Sequence, residues 1–289
     1  MKRLLIFSFV LILGITASYS QTTNSLPEEE TVEVKKTELK NVEKYEAILT
    51  KRGLWARTLP KLNDRDKALI AMNADDRKNF ADFLDEENSG FVRLHDMANC
   101  DDKNYVLNVN NPCPWDIPGK ASSYSFRKRK YQRIYFSDIR VMKAKFEIVG
   151  VNLLGFLTEL GDVDLDKISL QSNGIKEMLE YQPSSNVNEV EKVYNLAKNG
   201  FRFNNFVYKT DSPIKVNTTY ALRCIAFDGK IYRKIDGIRV NLLSDDKRSD
   251  ITVAFRVIRK YEDGSYGMLW KELQKKSAPK LKDEKQSLK

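Results

Sequence analysis

The sequence predicts an α+β protein: a helical N-terminal annex on a mainly antiparallel β domain that ends in hairpins. Three observations carry this reading. Apolar residues near the N-terminus repeat at helical spacing, with Leu39, Val42, Tyr45, Ile48 and Leu49 at i, i+3, i+4 intervals. Far along the chain the period falls to two: Ile251, Val253, Phe255 and Val257 interleave with Thr252, Ala254 and Arg256, as in a half-buried strand. Three Asp-Gly pairs, Asp228-Gly229, Asp236-Gly237 and Asp263-Gly264, follow residue 220. Asp-Gly suits hairpins because both central residues of a type I′ turn need positive φ. Turns at that density connect an antiparallel meander rather than βαβ units.

Taken in order, residues 1–20 read as a signal peptide. Lys2 and Arg3 precede the apolar run Leu4 to Ile15, and Ser18-Tyr19-Ser20 fits the small-x-small cleavage rule, leaving Gln21 first. Residues 21–36 lack aromatics and carry Glu28-Glu29-Glu30, the composition of a disordered spacer. The annex spans 37–90. Its first helix stops near Gly53, Pro60 breaks the chain, and Asn63 or Asp64 caps a helix through Ala71. Asp75 or Asp76 caps another through Leu84, with Phe80, Phe83 and Leu84 on one stripe, and Gly90 ends the region.

The β-rich domain spans 91–277 and opens with a loop from Phe91 to Gly119 that holds Pro112, Pro114 and Pro118. Tyr124 to Phe136 mixes aromatics and cations in a strand-compatible run, and Asp138 to Val149 reads as a second strand. Val151 to Leu160 is a buried strand or a short helix. A helix runs from Asn188 to Lys198, striped by Val190, Val193, Tyr194 and Ala197, with Gly200 in the C-cap position. Phe201 to Tyr208 and Val216 to Phe227 follow as strands. The last hairpin, with a two-residue loop at Asp263-Gly264, pairs Tyr261 with Tyr266, Arg259 with Met268 and Val257 with Trp270. Tyr261, Val257, Phe255, Tyr266, Met268 and Trp270 then make an apolar wall. Residues 278–289 form a flexible basic tail.

The signal peptide places the protein outside the cytoplasm, periplasmic or extracellular. The first cysteine is Cys100, so no lipoprotein anchor follows the cleavage point. Ile148 to Leu157 is the best later apolar run, and it is shorter than the roughly 17–25 residues a spanning helix needs. Lys and Arg number 49 against 40 acids, a net charge of +9. That balance suits anionic surfaces, namely a polyanion, an acidic glycan or an anionic lipid surface. Export argues against nucleic acid as the physiological partner. In an oxidising compartment Cys100 and Cys113 are expected to form a disulfide, worth about 3 kcal/mol for so short a loop. Cys224, among core-type residues, reads as a buried free thiol.

Several fragments occur together: Ala121-Ser-Ser-Tyr-Ser-Phe, Ser137-Asp-Ile, Leu160-Gly-Asp-Val, Val253-Ala-Phe-Arg-Val-Ile-Arg, and Asp263-Gly-Ser followed by Leu269-Trp-Lys. In that order the stretch from about 121 to 281 resembles a group of uncharacterised, predicted exported bacterial proteins. The resemblance implies export and transfers no catalytic residue. The Cys100/Cys113 loop is not part of its pattern.

Motifs for chemistry are few. His95, the only histidine, stands beside Asp96 in a loop, and no Gly-x-Ser-x-Gly elbow is present. His95, Cys100 and Cys113 match no zinc spacing. Asp162, Asp164 and Asp166 mimic half of a calcium loop, but Lys167 stands where glycine is needed and Asn173 where a bidentate glutamate is needed. No Gly-rich phosphate loop occurs, and no cofactor is implied. The best lead is the basic run. Arg127, Lys128, Arg129, Lys130 and Arg133, interleaved with Tyr131 and Tyr135, pair cations for an anionic backbone with aromatic platforms for a sugar. The plainer alternative is a strand edge kept soluble by charge. The leading expectation is a non-enzymatic envelope or extracellular protein with a binding or structural role. The alternative is a carboxylate-dependent hydrolase acting on an extracytoplasmic glycan, whose mark would be two acids converging in a pocket.

Overall fold

The computed structural model describes residues 62–100, 117, 121–230, 232–235, 238–241, 243 and 246–282. The signal sequence, the spacer, the first expected annex helix and Cys113 lie outside the described residues. A central sheet is built, edge to edge, from β1 (Ser89–Leu94), β14 (Tyr266–Ser277), β13 (Ser249–Lys260), β10 (Thr218–Ala226) and β6 (Leu153–Gly161). A smaller sheet runs β3 (Lys130–Tyr131), β2 (Ser123–Ser125), β4 (Ile139–Met142), β5 (Lys145–Ile148) and β9 (Asp211–Pro213). Two ribbons, β7 (Phe201–Phe203) with β8 (Phe206–Tyr208) and β11 (Tyr232–Ile235) with β12 (Ile238–Asn241), complete the strands. All of these pairings are antiparallel. With five helices among the described residues the chain is α+β.

The central sheet is buried on both faces. Phe126, Val141 and Phe146 of the smaller sheet and its turn meet Leu222, Phe255, Met268 and Trp270 on one side. Phe156, Ala221, Ile225, Ala254 and Leu269 on the other side pack under Met72, Phe83, Ile175, Met178 and Ala197. Strand β10 is therefore buried along its whole length, with Tyr220, Leu222 and Cys224 serving one layer and Ala221 and Ile225 the other. That is why its sequence reads as an apolar run rather than a clean alternation.

The terminal hairpin forms, but on a different turn. Of Asp263-Gly264 only Gly264 has positive φ, 79°. Gly264 N–H donates to Tyr261 O at 3.0 Å, and Tyr261 N–H to Ser265 O at 2.8 Å. The loop is thus three residues, 262–264, a type I turn closed by a left-handed glycine. The extra residue sets Lys260 opposite Tyr266 and Arg259 opposite Gly267. A bulge between Val257 and Arg259 then restores the phase, with Val257 facing Met268 and Phe255 facing Trp270. None of the three expected pairs occurs, yet Phe255, Val257, Tyr266, Met268 and Trp270 still share the buried wall. Tyr261 leaves it and lies under the Arg93 guanidinium, 3.6 Å from the ring centroid.

Other expectations also change. Residues 89–94 are an edge strand rather than the close of a helical region and the start of a loop. Gly90 stands opposite Trp270, and a Cβ there would meet the indole at 3.0 Å, so glycine makes room for the ring. The single strand expected over 138–149 is the β4–β5 hairpin, turning on Lys143 and Ala144 at φ 52° and 53°. Neither residue advertises such a turn. Asp96 supplies the reason: its carboxylate accepts from Lys143 N–H at 2.8 Å and Ala144 N–H at 2.6 Å. The strand expected over 201–208 is likewise a hairpin, reversed at Asn204 with φ 51°.

Helix α1 (Asp64–Ile70) is capped by Asn63 and α2 (Ala74–Asn79) by Asn73, and α3 (Ala81–Asp85) follows. The caps are asparagines, not Asp75 or Asp76. Asp76 instead takes two hydrogen bonds from Arg259. Helix α4 (Lys176–Glu180) precedes α5 (Val187–Asn199), which ends at Gly200 with φ 82°, as its spacing predicts. Among the described residues no helix is long and apolar enough to cross a membrane.

Candidate functional site

The basic run is only in part the surface that its composition suggests. It folds as β2, a turn and β3, with Arg129 in the left-handed region at φ 53°. Arg127 points inward and is 1% exposed. Its Nε donates to Asp138 Oδ1 at 2.5 Å, and its Nη1 to Asp246 Oδ2 at 3.0 Å and Lys247 O at 2.5 Å. Asp138 also accepts from Ser125 Oγ and from Arg127 N–H. Lys128 Nζ lies 2.9 Å from Asp246 Oδ1, and Arg248 Nη1 lies 2.6 Å from Oδ2. Burial by itself lowers the pKa of Arg127, but Asp138 and Asp246 outweigh it and raise the value. Burial likewise raises Asp246, but Arg127, Lys128 and Arg248 hold its carboxyl below the usual range. Arg129 reaches Asn88 and Glu272 and sits over Trp270. Tyr131 Oη donates to Arg93 O at 2.7 Å. Of the seven residues singled out, Arg129, Lys130, Arg133 and Tyr135 remain exposed. Asp138 and Asp246 draw Arg127 and Lys128 inward, and the Arg93 carbonyl holds Tyr131, partners that the run itself does not contain.

His95 is buried rather than on a loop surface. Its Nε2–H donates to Leu69 O at 2.9 Å, and burial pushes its pKa down. Ser265 and Asp263 reach the same place from the hairpin loop, but the connections are not those of a catalytic triad. Ser265 Oγ donates directly to Asp263 Oδ1 at 2.5 Å, while Asp263 Oδ2 lies 3.9 Å from His95 Nδ1. A triad needs the imidazole between hydroxyl and carboxylate. Arg93 binds both Ser265 Oγ and Asp263 Oδ2, each at 2.7 Å, so the cluster ties β1 to the hairpin loop.

The remaining leads are structural as well. Asp162 pairs with Arg256 and Asp164 with Lys167. No group of three or more His, Cys, Asp or Glu able to hold a metal occurs among the described residues. Cys224 is fully buried, and desolvation pushes its thiol pKa up, which leaves it unreactive. The expected Cys100–Cys113 pairing falls outside the described residues, since Cys113 does.

What the sequence did not announce is a cavity of about 370 Å³ on the helix-covered face of the central sheet. Helix α5 rests on that face through Val190, Val193 and Ala197, while Tyr194 of the expected stripe turns out to solvent. Gly200 then reverses the chain, and the β7–β8 hairpin tucks in beside it. Phe156 and Phe201 meet edge to face at 6.0 Å, Phe201 stacks on Tyr208 at 5.4 Å, and Tyr181 stands edge-on to Phe156 at 5.3 Å. Met178, Val193, Leu196 and Phe203 close the wall. Leu196 and Phe203 are 57% and 43% exposed, large apolar side chains left open to solvent.

Two carboxylates, Glu177 and Glu180, share this wall. Glu177 Oε2 accepts from Gly174 N–H at 2.5 Å and Oε1 from Asn204 Nδ2 at 3.4 Å, with Lys176 Nζ 3.9 Å away. Burial raises its pKa, but the backbone N–H donors, Asn204 and Lys176 together hold it below the usual glutamate range. Glu180 is exposed. Among the described residues no Lys or Arg lines the cavity. Arg223 lies beneath it, bound to Asp250 at 3.0 and 2.7 Å, and donates at 2.8 Å to the carbonyls of Met178 and Tyr181. It so satisfies the C-terminal end of α4. Four separate segments build the cavity, and the one signal within reach was α5 itself, a striped helix with Leu196 off its stripe. No protein-family model, no curated protein and no solved structure matches the chain.

Proposed function

We propose that this is an exported, non-enzymatic binding protein whose site is the aromatic cavity between α4, α5 and the β7–β8 hairpin, and that it takes a small apolar ligand. The observation that carries the reading is the cavity's lining: aromatic and aliphatic apart from Glu177 and Glu180, with Leu196 and Phe203 left exposed. Small-molecule sites are concave, mostly apolar and roughly 300–1,000 Å³ in size, and this one falls at the small end. Export rests on the Lys2-Arg3, Leu4 to Ile15 and Ser18-Tyr19-Ser20 pattern. The annex proposed for 37–90 would add to the helical cover that α1, α2 and α3 begin. The hydrolase alternative is weaker. It needs one carboxyl kept protonated near neutral pH, whereas Glu177 is held ionised by the donors around it.

A neutral apolar fluorophore, N-phenyl-1-naphthylamine, tests the site. Its emission should rise on titration and saturate at one dye per chain. Val193→Trp fills the space and should weaken binding by about tenfold or more, in a variant that still unfolds in one cooperative transition. Equal titration curves for the two proteins would place the dye elsewhere and end the proposal.

A further inference from the structure

We infer that the ligand is a cationic amphiphile, an amine or quaternary ammonium carried on an apolar body. The inference rests on the cavity being a binding site and names what that site selects. Five of its lining residues are aromatic: Phe156, Tyr181, Phe201, Phe203 and Tyr208. Aromatic faces are the negative end of a quadrupole and attract cations, more strongly where water is excluded. Glu177 and Glu180 stand three residues apart on α4, a spacing that puts both on one side of a helix. Both belong to the cavity wall.

The local charge opposes the global one. The chain as a whole is basic, +9, yet the wall holds two acids and no base. Arg223, a buried cation beneath the cavity, is matched by Asp250, donates to the Met178 and Tyr181 carbonyls and lies 6.0 Å from the centroid of the Tyr181 ring. Lys176 approaches Glu177 only at 3.9 Å, and its side chain is about half exposed. An anionic amphiphile would therefore bring its head to two carboxylates with no cation in the wall to offset them. A neutral one would gain the apolar contacts alone. A cation gains both: its body lies against Phe156, Met178 and Phe201, and its head stays near the glutamates. Glu177 is fixed by Gly174 and Asn204, which sets one charge in place before the ligand arrives. Glu180 is exposed and supplies the adjustable one.

Three probes with one tail separate the possibilities: octyltrimethylammonium, 1-octanol and octyl sulfate, titrated calorimetrically into the full chain below their micellar concentrations. The ammonium should bind about tenfold more tightly than octanol, and octyl sulfate should give no saturable heat. Glu180→Gln, an exposed and conservative change, should weaken the ammonium by about fivefold and leave octanol unchanged. Raised salt should weaken the ammonium alone. Equal affinity for ammonium and octanol, or tighter binding of the sulfate, would overturn the cationic assignment while leaving an apolar site standing. No binding of any of the three, with no response to the naphthylamine dye, would overturn the site itself.

Discussion

Arg127→Ala is expected to destabilise the protein by about 3–5 kcal/mol, a large share of the roughly 5–15 kcal/mol that holds a typical domain folded. The reason is what the change leaves behind. Asp138 and Asp246 have fully buried side chains, and Arg127 touches both. Removing the guanidinium strands a buried carboxylate at Asp138 and takes one of three cations from Asp246. It also empties the space that the long side chain fills. Urea unfolding of wild type and variant measures the loss. A surface cation would cost no more than about 0.5 kcal/mol, so a small effect would mean that the run faces solvent after all. The same network sets an acid limit. Asp246 is held below its unfolded value, so its stabilisation is present above that value and disappears as pH falls through the depressed one. Stability should therefore drop below about pH 4, and Asp246→Asn should flatten that part of the profile while lowering stability at neutral pH.

Trp270→Ala is expected to cost about 3–5 kcal/mol as well, through packing rather than hydrogen bonding. The indole is 3% exposed. It lies against Gly90, meets Phe126 edge to face at 5.6 Å and Tyr124 at 6.4 Å, and carries Arg129 over its face at 5.8 Å. Three elements thus converge on one ring: the edge strand β1, the β2–β3 turn and the hairpin. Its N–H has no hydrogen-bond partner among the described residues. Trp270→Phe should therefore lose much less, about 1–2 kcal/mol. Chemical denaturation of the two variants checks this. Similar losses for both would assign the effect to the N–H, and no loss for either would make the hairpin peripheral.

The fold was legible wherever local pattern and tertiary packing agree. The alternation at Ile251 to Val257 marks a buried strand face, and Gly200 marks the end of α5, because period and backbone freedom are local properties. Registers were less legible. The turn after Tyr261 takes three residues instead of two, and a bulge near Ile258 hides the slip, so the right residues are buried through the wrong pairs. The Lys143-Ala144 turn could not be read at all, since it depends on Asp96, more than forty residues away. The candidate site shows the same divide. Arg127 and Lys128 read as surface because Asp246, which binds both, is more than a hundred residues away. The cavity's aromatics read as ordinary core because nothing local says that Phe156 and Phe203 border the same space.

We propose that the cavity under α5, and not the basic hairpin, is where this protein binds. A crystal structure of the protein soaked with N-phenyl-1-naphthylamine tests it most directly. Ligand density is expected against Phe156, Met178 and Phe201, with Leu196 and Phe203 closing over it. Density on Lys130, Arg133 and Tyr135 with an empty cavity would contradict it.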